Sequence, residues 1–191
     1  QFKLMNHYKQ LIKQYFYKKK LSNEFIKLIE NKVINYQEMD NQLHLFIVDN
    51  SVSIFNKIII TKNDHSYINY IEFFTNDNII RYIKCTFTDM YPFKPPNIII
   101  NHNNYVSLLH FNIKHLKLLK LNESYCFCCE SITCTDKWYP TFNIDKLLME
   151  INKNIKYKMD YTYNICVNVI KRKYLNPDIP IMDFILDIPI Y

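Results

Sequence analysis

A chain of 191 residues that is 49% hydrophobic and 16% aromatic has enough apolar surface for a sizeable core, which excludes global disorder. It contains no glycine, which excludes phosphate-cradling loops and nucleophile elbows built on that residue. The net charge of +6 comes with heavy use of Asn, Ile, Lys and Tyr, a codon-usage bias, so it points only weakly to nucleic acid, and no apolar run is long enough to span a bilayer.

Residues 1–30 carry apolar side chains at helical spacing: Phe2, Met5, Tyr8, Leu11, Ile12, Tyr15 and Phe16. A second helical piece follows Lys20, with Ser22 or Asn23 as its cap and Phe25, Ile26, Leu28 and Ile29 inside it. The basic stretch from Lys3 to Lys20 reads as a solvated helix face rather than a nucleic-acid surface. Strand-like runs occupy Leu43–Val48, Ser53–Ile60, Tyr67–Phe74 and Ile79–Phe87, and another short one runs from Asn97 to Asn101. Without glycine, turns that need positive φ fall to Asn and Asp, as in Asp49-Asn50, Asn63-Asp64 and Asn76-Asp77. Residues 113–121 look locally helical or like an inserted loop. Residues 141–155 form a helix with Asn143 as a possible cap, and residues 161–175 form another. The expected architecture is a single α+β domain over residues 1–191: N-terminal helix, four-stranded antiparallel meander, and C-terminal helices.

Four of the six cysteines crowd into residues 126–134, where they would staple only short loops. That favours a reducing compartment, cytoplasmic or nuclear. The first residues also lack the charged-then-apolar layout of a signal peptide.

Prolines concentrate in Tyr91-Pro92-Phe93-Lys94-Pro95-Pro96, a segment made extended by fixed φ and missing donors. His110-Phe111-Asn112-Ile113 and Trp138-Tyr139-Pro140 follow, with Asn176-Pro177-Asp178-Ile179-Pro180 further on. Six of the seven prolines and the only tryptophan lie in these motifs. Together they resemble the ubiquitin-conjugating enzymes, which carry a YPFKPP-type segment, an HPN tripeptide, a catalytic cysteine, a WSP-type loop and a long helix. The resemblance is best over residues 85–155, with residues 156–191 as a C-terminal helical extension. It implies the UBC-like fold of the α+β class.

The implied chemistry is thioester transfer. A cysteine takes the C-terminus of ubiquitin or a ubiquitin-like modifier from an activating enzyme and passes it to lysine, with no cofactor and no metal. Thiolate suits this as both nucleophile and leaving group. Three cysteines compete for the role. Cys126 aligns without a gap to the family stretch NGEICLDI. Cys128 stands ten residues before Trp138, an ordinary spacing for the family, and Cys129 matches a CLSI variant. By resemblance, Asn112 steadies the loop and the oxyanion, a role suited to an amide donor. Phe93 and Pro140 correspond to the patch that docks RING-type ligases. Lys3, Lys9 and Lys13 would face the activating enzyme. Neither nucleic acid nor membrane is an expected partner.

This chain departs from the family in three places. Glu123 replaces a glycine, residues 114–121 are inserted before the cysteines, and Ile179 replaces an aspartate. These departures also fit a catalytically inactive relative acting as a binding or adaptor module. A third reading puts Cys126, Cys128, Cys129 and Cys134 on zinc, but the C-x-C-C spacing lacks paired C-x2-C knuckles. Cys85 and Cys166 read as small buried hydrophobes.

Overall fold

The computed structural model describes residues 2–16, 19–30, 32–47, 55–62, 69–111, 116–117, 127–134 and 136–175. Two helices open the chain, α1 (Phe2–Tyr15) and α2 (Lys19–Ile29). The second begins three residues before Ser22, which is buried inside it, so neither Ser22 nor Asn23 is its cap.

The sheet that follows has seven antiparallel strands among the described residues: β1 (Val33–Met39), β2 (Gln42–Ile47), β3 (Phe55–Thr61), β4 (Asn69–Thr75), β5 (Tyr82–Phe87), β6 (Asn97–Ile100) and β7 (Asn103–Asn104). They pair in chain order, each with the next. One long helix closes the described chain, α5 (Ile144–Leu175), after two single-turn helices, α3 (Tyr105–Leu108) and α4 (Phe127–Glu130).

This corrects the expected UBC-like fold of a four-stranded meander with several C-terminal helices. The extra strand β1 is an edge strand that buries almost nothing, so its residues show no apolar alternation to read. The two-residue β7 is too short to leave a pattern. The expected helices over 141–155 and 161–175 are one helix of 32 residues, about 48 Å long at the usual rise. No proline lies between Pro140 and Pro177 and the chain has no glycine, so nothing in that span breaks the helix. The polar stretch around Lys156–Asp160 is a change of surface on a continuous rod.

Among the described residues, positive φ falls at an Asp and an Asn, as the lack of glycine suggests, but also at a His, and at neither residue of the expected Asn76-Asp77 turn. Asp40 at the β1–β2 turn has φ 47°, and Asn101 and His102 between β6 and β7 have φ 46° and 70°. The Asn101 carboxamide accepts from the backbone N–H groups of Arg81 and Tyr82 at 3.0 and 3.1 Å and donates to the Ile79 carbonyl at 2.6 Å. That side chain caps the start of β5, beside the backbone bond from Asn101 N–H to the Tyr82 carbonyl at 3.0 Å. At the expected Asn76-Asp77 turn, the Asp77 carboxylate accepts from Ile79 N–H at 2.6 Å, so β5 begins at Tyr82 rather than at Ile79. The expected turns at Asp49-Asn50 and Asn63-Asp64 lie outside the described residues.

One face of the sheet carries the core. Leu43, Leu45, Ile58, Ile60, Ile71, Phe73, Ile83, Cys85 and Ile100 alternate inward, and α1, α2 and α5 cover them with Tyr8, Ile12, Phe25, Ile29, Leu147 and Ile151. Burial pushes the Cys85 thiol up to about 12, so this cysteine serves packing. On the other face lysines lie over rings, Lys84 3.7 Å from the Tyr70 centroid and Lys57 5.7 Å from that of Phe46.

Candidate functional site

The proline ridge leaves β5 through a turn in which Phe93 and Lys94 N–H groups both donate to the Met90 carbonyl, at 2.6 and 3.0 Å. The Tyr91-Pro92 peptide is cis. Tyr91 is buried, its ring edge-on to Phe87 at 4.9 Å, and its hydroxyl donates to Glu24 on α2 at 2.8 Å. Burial, with the Glu24 carboxylate second, holds that phenol far above its ordinary value. The ridge is therefore fastened to α2 by a neutral hydroxyl in contact with a carboxylate.

Trp138 fastens the ridge to the second loop. Its indole Nε1 donates to the Pro92 carbonyl at 2.6 Å, and its ring meets Phe142 edge-on at 5.7 Å. The Lys20 ammonium donates to the Pro140 carbonyl and pairs with Glu24 at 3.6 Å. Segments 91–93 and 138–140 thus lie side by side on α2. Phe93 is 72% exposed and Tyr139 61% exposed, and Pro140 is exposed as well. Phe93 and Pro140, named from the sequence, are exposed here; the exposed Tyr139 was not named, although it stands between the only tryptophan and a proline.

The cysteine segment sits at the other end of the same loop. Cys128 is half-buried on α4, with its sulfur 4.0 Å from Nδ1 of His110 and 3.8 Å from the sulfur of Cys129. It is disulfide-bonded, whereas Cys129, Cys134, Cys85 and Cys166 are free thiols. A disulfide here departs from the expectation that these crowded cysteines stay reduced. Cys129 is exposed, and Cys134 and Cys166 are half-buried. Cys126 and Asn112 lie outside the described residues, as do residues 176–180 and, Leu116 and Lys117 excepted, the insertion at 114–121.

Glu150 on α5 holds the turn after α4. Its carboxylate accepts from Ser131 Oγ at 2.5 Å, from Ile132 N–H at 2.8 Å and from the Tyr105 hydroxyl at 3.4 Å. Asn154, one turn later, donates to the Tyr105 oxygen at 2.8 Å. One helix turn thereby joins α3 to the segment after Cys128 and Cys129. This hub was not foreseen, because it joins α5 to two distant parts of the chain, at Tyr105 and at Ser131-Ile132.

Lys158 is buried on the same helix. Its ammonium donates to the Leu108 carbonyl and, at 3.4 Å, to that of His110, and it lies 5.8 Å from the Phe111 centroid. Burial pushes it down to about 8 from the ordinary 10.5. Between those values the unfolded chain binds more protons than the folded one, so this group makes stability rise with pH there and penalises the fold fully below about pH 8. The difference in urea midpoint between wild type and Lys158→Met should therefore shift toward wild type from about pH 7.5 to about pH 9.5. A difference that stays flat across that window would contradict the burial of this ammonium.

Of the lysines expected to face an activating enzyme, Lys13 is exposed and Lys9 pairs with Glu30 at 3.0 Å; the Lys3 side chain lies outside the described set. Among the described residues, no group of three or more His, Cys, Asp or Glu is placed to hold a metal, and no helix is long and apolar enough to cross a membrane. Comparison of the chain with family models, curated proteins and solved structures gives no match.

Proposed function

We propose that the chain carries ubiquitin or a ubiquitin-like modifier as a cysteine thioester, formed on Cys128, and passes it to lysine with a ligase docked on Phe93 and Pro140. The observation that carries this is the Cys128 sulfur 4.0 Å from the His110 imidazole, with His110 opening the motif that is similar to HPN. Further support comes from the YPFKPP ridge and the W-x-P loop, held together by the Trp138–Pro92 hydrogen bond. The strand count lends no support.

Cys128 acts only after its disulfide is reduced: two cellular thiols supply two electrons and two protons and leave as a disulfide, and both protein sulfurs become free thiols. The imidazole then accepts the thiol proton. The thiolate attacks the modifier's carbonyl in the activating enzyme's thioester; a new S–C bond forms, the old one breaks, and the activating enzyme's thiolate leaves. A substrate lysine amine next attacks the same carbonyl, forming an isopeptide bond and returning Cys128 as thiolate.

One observation favours a second reading, a non-catalytic binding module: Cys128 is disulfide-bonded, while Phe93 and Tyr139 remain exposed. Charging with an activating enzyme, ATP and a panel of modifiers separates the two. The enzyme reading expects an adduct that a thiol reductant removes. The binding module expects none, together with ligase-type binding weakened by Phe93→Ala.

A further inference from the structure

We propose that Lys158 is a positioning residue for the Cys128 thiol, acting through the main-chain carbonyls of Leu108 and His110. It rests on the assignment of Cys128 as the reactive cysteine. The chain passes from α3 into the His110-Phe111 segment at Leu109, just where α3 ends. Helix ends leave carbonyls without intrahelical donors, and two carbonyls of this stretch turn toward α5. Lys158 meets both, the Leu108 carbonyl and, at 3.4 Å, that of His110.

The position of Lys158 on α5 gives it the reach. It stands seven residues after the buried Ile151 and three after the buried Ile155, so it lies on the apolar stripe facing the core. A lysine there has its stem packed and its amine fixed. The Phe111 ring adds a second grip: it packs on Tyr161 at 4.1 Å, one turn further along α5. Backbone at 108–110 and ring at 111 are thus held to one helix. The imidazole of His110, exposed and carried on that held backbone, is the group 4.0 Å from the Cys128 sulfur.

Lys158 touches no reacting atom. Its role is to fix where His110 stands relative to the sulfur, and through that the ease with which the thiol loses its proton. Another donor of similar reach should do the same work. A side chain of similar length without a donor should not.

The test is the alkylation of reduced full-length protein by iodoacetamide near neutral pH, followed site by site by peptide mass mapping. In this reaction the thiolate sulfur bonds to carbon, iodide leaves, and the thiol proton goes to His110 or solvent. Lys158→Met should slow labelling of Cys128 about tenfold, the effect of one unit in the thiol's pKa, while Cys129 keeps its rate. Lys158→Arg should restore the rate. In a His110→Gln background, Lys158→Met should add no further slowing, because the two act in series. Should Lys158→Met fail to fold, Lys158→Gln, too short to reach both carbonyls, takes its place with the same expected slowing. An unchanged Cys128 rate, equal slowing at Cys129, or independent effects in the double variant would each overturn the proposal. Labelling needs no modifier, so a wild type that charges nothing would sink the thioester reading while leaving this comparison intact.

Discussion

Replacing Trp138 with alanine should cost about 3–5 kcal/mol in unfolding free energy, the range for deleting a large buried aromatic side chain. The ring is 7% exposed and packs between Tyr91 and Phe142, at centroid separations of 6.1 and 5.7 Å. Its loss opens a cavity and leaves the Pro92 carbonyl without its indole donor. A typical domain has about 5–15 kcal/mol in all, so the variant should sit near the edge of folding. Trp138→Phe keeps most of the packing and loses the N–H, so it should cost much less, about 1 kcal/mol for the hydrogen bond with a small cavity added. Urea denaturation followed by circular dichroism measures both, since the variants lack the chain's only indole fluorophore. Equal and small losses for the two variants would mean the two loops are not joined through this ring.

Glu150→Ala should destabilise by on the order of 2–3 kcal/mol, the scale for donors left without a charged acceptor in a partly buried site. Three donors lose a partner: Ser131 Oγ, Ile132 N–H and the Tyr105 hydroxyl, at 2.5, 2.8 and 3.4 Å in the wild type. Ser131 keeps Thr133 at 2.7 Å and Tyr105 keeps Asn154 at 2.8 Å, which limits the cost. Ile132 N–H has no such second partner among the described hydrogen bonds. Hydrogen exchange at that amide should therefore accelerate more than at the core strands. Protection of Ile132 that survives Glu150→Ala would show that the turn after α4 is held by something other than this carboxylate.

How legible the molecule was in its sequence depended on how local each cause was. Strands β2 and β5 have strictly alternating burial, so Leu43, Leu45 and Ile47, and Ile83, Cys85 and Phe87, announce an inner face. Edge strand β1 buries none of its residues fully and β7 is only two residues long, so neither announced itself, and a four-stranded meander with one further short run was expected where seven strands stand among the described residues. The single long helix was readable in principle, from the lack of any breaker between Pro140 and Pro177, although two separate helices were expected there. For the site, the proline ridge and the W-x-P loop were legible because unusual residues mark them. Glu150 and Lys158 were not, although each left a trace: a charged residue on or beside the apolar stripe of a helix. What such a residue bonds is set by tertiary contacts with segments 18 to 50 residues away, and no local pattern encodes that. Asn112 and Cys126, singled out by resemblance, lie outside the described residues, so Cys128 and His110 carry the chemistry proposed for the site.

The most direct test of that chemistry is the intact mass of the reduced protein after incubation with an activating enzyme, ATP and each of a panel of modifiers. Cys-to-Ser variants at 126, 128 and 129 run in parallel. The expected result is a mass gain of one modifier less one water, removed by dithiothreitol and missing only in Cys128→Ser. Loss of the adduct in Cys126→Ser or Cys129→Ser instead would move the nucleophile. No adduct with any modifier, on protein shown to be folded and reduced, would contradict the thioester account altogether and leave the exposed Phe93–Tyr139 surface as a binding module.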